Sequence, residues 1–200
     1  MMRRQLLQVV LCGLLALPGL VQAFDLAQLR TQLIATQSVR GNFVQEKHLR
    51  ALSVPLVSKG HYTLVASKGL LWELTAPLAQ SLRITPQGIF RRQADGTWQA
   101  SQQAGNRESR LFLSLLSGNT HGLADDFDLA LSGDAADWRL SMTPSSVILR
   151  QIFARIDIIG STLVQEITLH ETQGDYTILR LQGSQAGITL SDDEARAYAD

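Results

Sequence analysis

Tyr62-Thr63-Leu64-Val65-Ala66-Ser67-Lys68-Gly69-Leu70-Leu71-Trp72-Glu73-Leu74-Thr75-Ala76-Pro77 reads as two short strands joined by a turn. Leu70, Trp72 and Leu74 fall on one face of the second strand, with Leu71, Glu73 and Thr75 on the other, because strand side chains alternate. Tyr62, Leu64 and Ala66 alternate in the first strand, and Ser67-Lys68-Gly69 supplies turn chemistry between them. The same rhythm continues outward. Leu82 with Ile84, Ile89 to Arg91 and Thr97 to Gln99 follow, broken at Ala76-Pro77, Pro86-Gln87-Gly88 and Ala94-Asp95-Gly96. Upstream, Phe43, Gln45 and Lys47 alternate with Val44, Glu46 and His48. Short strands with turns every eight to twelve residues indicate an antiparallel meander.

The period changes at both ends of this block. Leu26, Leu29, Leu33 and Ile34 have helical spacing within Phe24 to Thr36, with Asp25 placed to start the helix. Arg107 to Leu116 is also helical in spacing, and Gly118-Asn119 stops it. Asp125 to Leu131 and Trp138 to Met142 suggest a hairpin around Gly133-Asp134, while Ser146 to Phe153 could be a helical turn. Ile156/Ile158, Ile167/Leu169 and Leu179/Leu181 then alternate along three further strands. The expected fold is mainly β (α+β): an open sheet of roughly ten strands that curls on itself, with helices across one mouth or face. A curled sheet of this kind encloses apolar volume suited to a hydrophobic ligand.

The first 23 residues differ from the rest. Arg3 and Arg4 precede an apolar run from Leu6 through Leu20, and Val21-Gln22-Ala23 offers a cleavage site. That pattern predicts a secretory signal peptide over 1–23, cut after Ala23, and a single domain over 24–200 in the periplasm. Cys12, the one cysteine, lies inside the leader and follows Leu11, which does not fit a lipidation signal. With 18 basic and 18 acidic residues the chain has no basic excess, so no nucleic-acid partner is expected.

Candidate chemistry is sparse. His48, His61, His121 and His170 show no spacing that would aim two at one metal. Asp125, Asp126 and Asp128 lack the glycine and distal glutamate of a calcium loop. His170 and Glu171 point to opposite faces of a strand. Neither a Gly-x-Ser-x-Gly elbow nor a phosphate loop occurs. The reading is therefore a binding protein with no catalytic residue, no metal site and no cofactor.

The segments Gly41-Asn42-Phe43-Val44-Gln45-Glu46-Lys47 and Leu71-Trp72-Glu73-Leu74-Thr75-Ala76-Pro77-Leu78-Ala79-Gln80-Ser81-Leu82-Arg83-Ile84, with Gly88 beyond, resemble the LolA family of periplasmic lipoprotein carriers. The resemblance implies a half-open antiparallel β-barrel under a helical lid, with an apolar interior that holds acyl chains. Leu70, Trp72 and Leu74 would face the cavity, with Phe43, Leu64, Leu82, Ile84 and Phe90 beside them. Ile156, Ile158, Ile167, Leu169, Leu179 and Leu181 would complete the wall, and Leu111, Phe112, Leu115 and Leu116 would belong to the lid. The implied partners are an acylated lipoprotein or lipid cargo, an inner-membrane donor transporter and an outer-membrane acceptor, with the carrier a monomer.

Two features depart from that family. Its Arg-Pro pair before the tryptophan falls here on Ala66-Ser67, with Lys68 nearby. Its Phe-x-Phe ending is replaced by Ile188-Thr189-Leu190 and the polar Ser191-Asp192-Asp193-Glu194. A divergent relative serving another amphiphile, such as an aryl-polyene-type product, is the alternative these departures suggest. A lipid-sensing regulatory module of the same fold is a further one.

Overall fold

The computed structural model describes residues 24–101, 113–114, 116 and 123–199. The expected leader over 1–23 and the expected lid residues Leu111, Phe112 and Leu115 lie outside the described residues. Asp25 caps the first helix, α1 (Leu26–Ile34), through a reciprocal box. Its carboxylate accepts the Gln28 N–H at 2.8 Å, and the Gln28 side chain accepts the Asp25 N–H at 3.0 Å. Leu29 and Leu33 form the buried stripe.

Eleven strands follow: β1 (Ser38–His48), β2 (Leu56–Val65), β3 (Gly69–Ala76), β4 (Gln80–Thr85), β5 (Gly88–Arg92), β6 (Trp98–Ala100), β7 (Phe127–Gly133), β8 (Trp138–Pro144), β9 (Phe153–Gly160), β10 (Val164–Glu171) and β11 (Tyr176–Ala186). Short helices α2 (Leu123–Asp126) and α3 (Val147–Arg150) flank the β7–β8 hairpin, and α4 (Asp192–Ala197) ends the chain. Leu113, Ser114 and Leu116 are helical as well.

The strands form one antiparallel sheet in the order β6-β5-β4-β3-β2-β1-β11-β10-β9-β8-β7. Two meanders therefore meet where β1 pairs with β11, and among the described residues β6 and β7 are the two edges of an open sheet. Inward residues of all the central strands share one core with α1, including Val39, Phe43, Tyr62, Leu70, Trp72, Trp138, Met142, Ile156 and Ile167. The polar tail from Ser191, which sequence spacing leaves without an element, is a capped helix: the Ser191 hydroxyl accepts the Glu194 N–H and Glu194 returns to the Ser191 N–H.

Two glycines make room for rings. Phe43 stands directly across from Gly60, and its ring reaches over that bare position to stack on Trp72 at 3.6 Å between centroids. A Cβ on Gly60 would sit 2.0 Å from the Glu73 carbonyl oxygen and 2.8 Å from the Phe43 ring. Gly160 does the same for Trp138, whose ring would be 2.4 Å from an added Cβ.

Gly60→Ala should therefore destabilise the fold by about 1–3 kcal/mol through forced displacement of backbone and ring. Urea unfolding followed by tryptophan fluorescence measures this, and an unchanged midpoint would contradict the packing described.

Candidate functional site: a covered apolar face

Direct antiparallel partners point to the same side of a sheet, so the register fixes which side chains share a face. Phe43 pairs with Leu181, Leu64 with Leu70, Leu70 with Ile84, and Trp72 with Leu82. Leu74 lies across from Gly60 and so on the side of Phe43. In the other meander, Leu179 pairs with Ile167 and Ile167 with Ile158, while Leu169 pairs with Ile156. The structure thus brings the expected cavity residues together on one concave face, with one exception.

The exception is Phe90. Thr85 pairs with Gly88 across the Pro86-Gln87 turn, which sets Ile84 opposite Ile89 and Arg83 opposite Phe90. Phe90 therefore lies on the convex face, where the Arg83 guanidinium sits 5.0 Å from its ring centroid and 5.0 Å from that of Trp98. The two-residue turn is the signal that assigns Ile89, not Phe90, to the concave side. Spacing alone also passed over Val39, Tyr62, Trp138, Leu140 and Met142, all buried in the same core.

Leu29 and Leu33 of α1, Leu116, Leu123 of α2 and Leu149 of α3 cover this face. Of the four expected lid residues, Leu116 is the one within the described residues, and it is buried. A cavity of about 20 Å³ lies between the cover and the sheet, lined by Leu33, Val39, Leu64, Leu116, Val164 and Leu181 among others. That volume holds roughly one water molecule. Among the described residues, side chains of α1 and Leu116 occupy this part of the apolar face.

The convex face is polar and carries a larger groove of about 380 Å³, between α4 and strands β3 to β6. Here Glu194 is clamped. Arg40 donates to it through Nε at 2.8 Å and again through a second guanidinium nitrogen, and the Thr63 hydroxyl donates at 2.6 Å. Burial pushes the Glu194 carboxyl upward, yet hydrogen bonds from Arg40, Thr63 and the Ser191 N–H, with the Arg40 charge, bring it down to about 2. Tyr198 reaches the carbonyl oxygens of Thr63 and Gly69 at 2.5 and 3.2 Å, and burial raises its phenol well above the usual range. The Lys68 ammonium lies 5.9 Å from the Tyr198 ring centroid, at the edge of this clamp.

One other polar cluster has the composition of a catalytic triad but not its wiring. Asp157 accepts from the Ser141 hydroxyl at 2.6 Å and from Arg155 at 2.7 Å, and it meets His170 Nε2 at 3.1 Å. The carboxylate lies between serine and histidine, so the histidine is not bonded to the serine oxygen it would have to deprotonate. His48 stacks on Tyr176 and His61 meets Asn42, while His121 lies outside the described residues. Among the described residues, no three His, Cys, Asp or Glu side chains gather as a metal site. No described helix is long and apolar enough to cross a membrane.

The profile of the family described as outer membrane lipoprotein carrier protein LolA matches residues 35–194. Solved structures similar to the chain include a LolA superfamily protein from Nitrosomonas europaea, at 8% identity and TM-score 0.48, covering 89% of this chain and 99% of that one. A DUF1329 family protein from Desulfovibrio piger is similar at 13% identity and TM-score 0.46, covering 87% of this chain and 96% of that one. No curated protein matches.

Glu194 ordinarily titrates near 4.5 and here near 2, so its contribution to stability is present above about 4.5 and is lost as pH falls through about 2. Glu194→Gln should cost about 1–3 kcal/mol at neutral pH, since it strips Arg40 of its partner. The gap between wild type and variant should close between pH 4.5 and 2 in thermal melts. A gap that persists unchanged at pH 2 would show that the carboxylate is not the anchor.

Proposed function

The chain belongs to the LolA family of outer membrane lipoprotein carriers, and from that premise we propose that it is a periplasmic carrier whose concave face holds the acyl chains of a lipoprotein or another amphiphile. The observation that carries this reading is the covered face itself: a continuous apolar surface from Ile84 to Met142, sealed by helices and not by a second sheet. An extended apolar face in water costs roughly 25 cal/mol per Å², so a carrier needs a cover when it has no cargo. Each methylene of an entering chain is worth about 0.8 kcal/mol, enough in sum to offset lifting α1 and Leu116 from the sheet. The donor would be an inner-membrane transporter and the acceptor an outer-membrane protein.

A second reading, in which the cargo is a specialised lipid and not a lipoprotein, rests on the departure at Ala66-Ser67, where the family carries an Arg-Pro pair. Native mass spectrometry of the protein taken from its own periplasm separates the two readings. An acylated peptide as the bound species supports lipoprotein transport, and a free lipid supports the second.

Leu116→Glu should lower loading of a fluorescent diacyl lipopeptide by about tenfold or more while the sheet stays folded by circular dichroism, because a buried lid contact becomes charged. Unchanged loading in a folded variant would refute the role of this cover.

A further inference from the structure

Among the described residues, the exposed large hydrophobic side chains are Ile34, Leu52, Val54, Leu56, Val57, Leu78, Val147 and Ile148. All except Ile34 lie at one end of the sheet. Leu52, Val54, Leu56 and Val57 belong to the β1–β2 hairpin end, where Lys47 pairs with Leu56. Leu78 sits in the β3–β4 turn, just past Ala76, which pairs with Lys59. Val147 and Ile148 are on α3, between the end of β8 and the start of β9. Antiparallel order brings these three connections to the same rim.

Hydrogen bonds join the rim into one surface. Arg50 donates its backbone N–H to the Asp175 carboxylate at 2.9 Å and its guanidinium to the Gln173 carbonyl at 3.0 Å. Thr172, in the same β10–β11 turn, donates its hydroxyl to the Gln151 carbonyl at 2.9 Å. The Thr75 hydroxyl donates to the Lys59 carbonyl at 3.2 Å. On this fixed base the apolar tips project into solvent: Leu78 is 78% exposed, Val54 68% and Val147 66%.

Charge tells what the tips meet. Residues 47–59 contain Lys47, Arg50 and Lys59, residues 144–156 contain Arg150 and Arg155, and neither stretch has an Asp or Glu. Lys47 and Arg155 are paired to Glu171 and Asp157. Among the described residues, Arg50, Lys59 and Arg150 form no ion pair, the Arg50 guanidinium meeting only the neutral Gln173 carbonyl. The rim's other carboxylates are engaged within the fold or lie at its β7 edge: Glu46, across from Val57, is paired to Arg180, Asp175 accepts the Arg50 N–H, and Asp125, Asp126 and Asp128 stand at the start of β7, where the Asp126 carbonyl accepts the Ser145 N–H. Apolar tips rimmed by unpaired cations match the interface of an anionic bilayer, where side chains enter the headgroup layer and cations meet phosphates. A flat protein partner would bury a face, whereas these residues stand on separate tips.

We propose that this end of the sheet docks on an anionic phospholipid surface, with Val54, Leu78, Val147 and Ile148 entering the headgroup layer and Arg50, Lys59 and Arg150 facing lipid phosphates. The test is flotation of the chain beginning at Phe24, so that the apolar leader contributes nothing, with vesicles of phosphatidylcholine alone or mixed with phosphatidylglycerol. Binding is expected to the mixed vesicles, weakened by salt, and reduced about tenfold in Val54→Asp/Leu78→Asp and in Val147→Asp/Ile148→Asp. These sites are exposed, so both variants should melt as the parent does. No binding to the mixed vesicles overturns the proposal, as does undiminished binding in variants that melt normally. A dimer that buries this rim in solution also overturns it. Loading of lipopeptide in solution reads the concave face separately, so failure here is distinguishable from failure of the carrier reading.

Discussion

The stack of Phe43 on Trp72 over the bare backbone of Gly60 is the contact on which the concave face depends. It links β1 to β3 across β2, and β1 is also the strand that joins the two meanders through β11. Phe43 pairs with Leu181 on that other side, so one ring connects the walls built from both halves of the chain. With no second sheet to pack against, the apolar surface so formed must find another cover. Among the described residues, the short helices and Leu116 supply it, with a cavity of about 20 Å³ between Leu33, Leu64, Leu116 and Leu181.

The convex face answers a different requirement. Strands β1 to β4 are buttressed from behind by α4, held by Arg40, Thr63 and Arg83 to Glu194 and the Ala197 carbonyl. Arg40 is the neighbour of Val39 along β1, so adjacent residues serve opposite layers, one in the apolar core and one in the ionic clamp. The consequence is mechanical. A cover that moves must leave behind a sheet that does not, and strands held by side-chain bonds from their outer face keep their curvature when contacts on the inner face are exchanged.

Much of this was legible in the sequence because strand alternation is local. Leu70, Trp72 and Leu74 identify their own face, and the turns at Gly69, Gly88 and Gly174 divide the strands. Phe90 shows where alternation stops being enough. Which parity a strand contributes depends on its turn, and the Pro86-Gln87 connection, not the hydrophobicity of the ring, sends Phe90 to the convex side. The tail shows the other limit. Ser191 to Arg196 has no apolar stripe and reads as solvent-exposed, yet its capping box and Glu194 make it a docked helix. Its partners, Arg40 and Thr63, lie more than a hundred residues away, and no local pattern announces a pair so distant.

The exposed tips and the sealed face become consistent when considered together. A covered apolar face opens at a cost in bulk water, because every lifted leucine is hydrated before a cargo methylene replaces it. At a bilayer interface the lifted side chains meet acyl chains and not water, so the same opening loses less. A carrier with such a cover therefore gains from a separate means of holding its rim at that interface. Tips carrying apolar side chains beside unpaired Arg50, Lys59 and Arg150 would provide it without exposing the cavity wall. Specificity for cargo and residence at a membrane would then belong to different residues, which allows one to diverge while the other is retained.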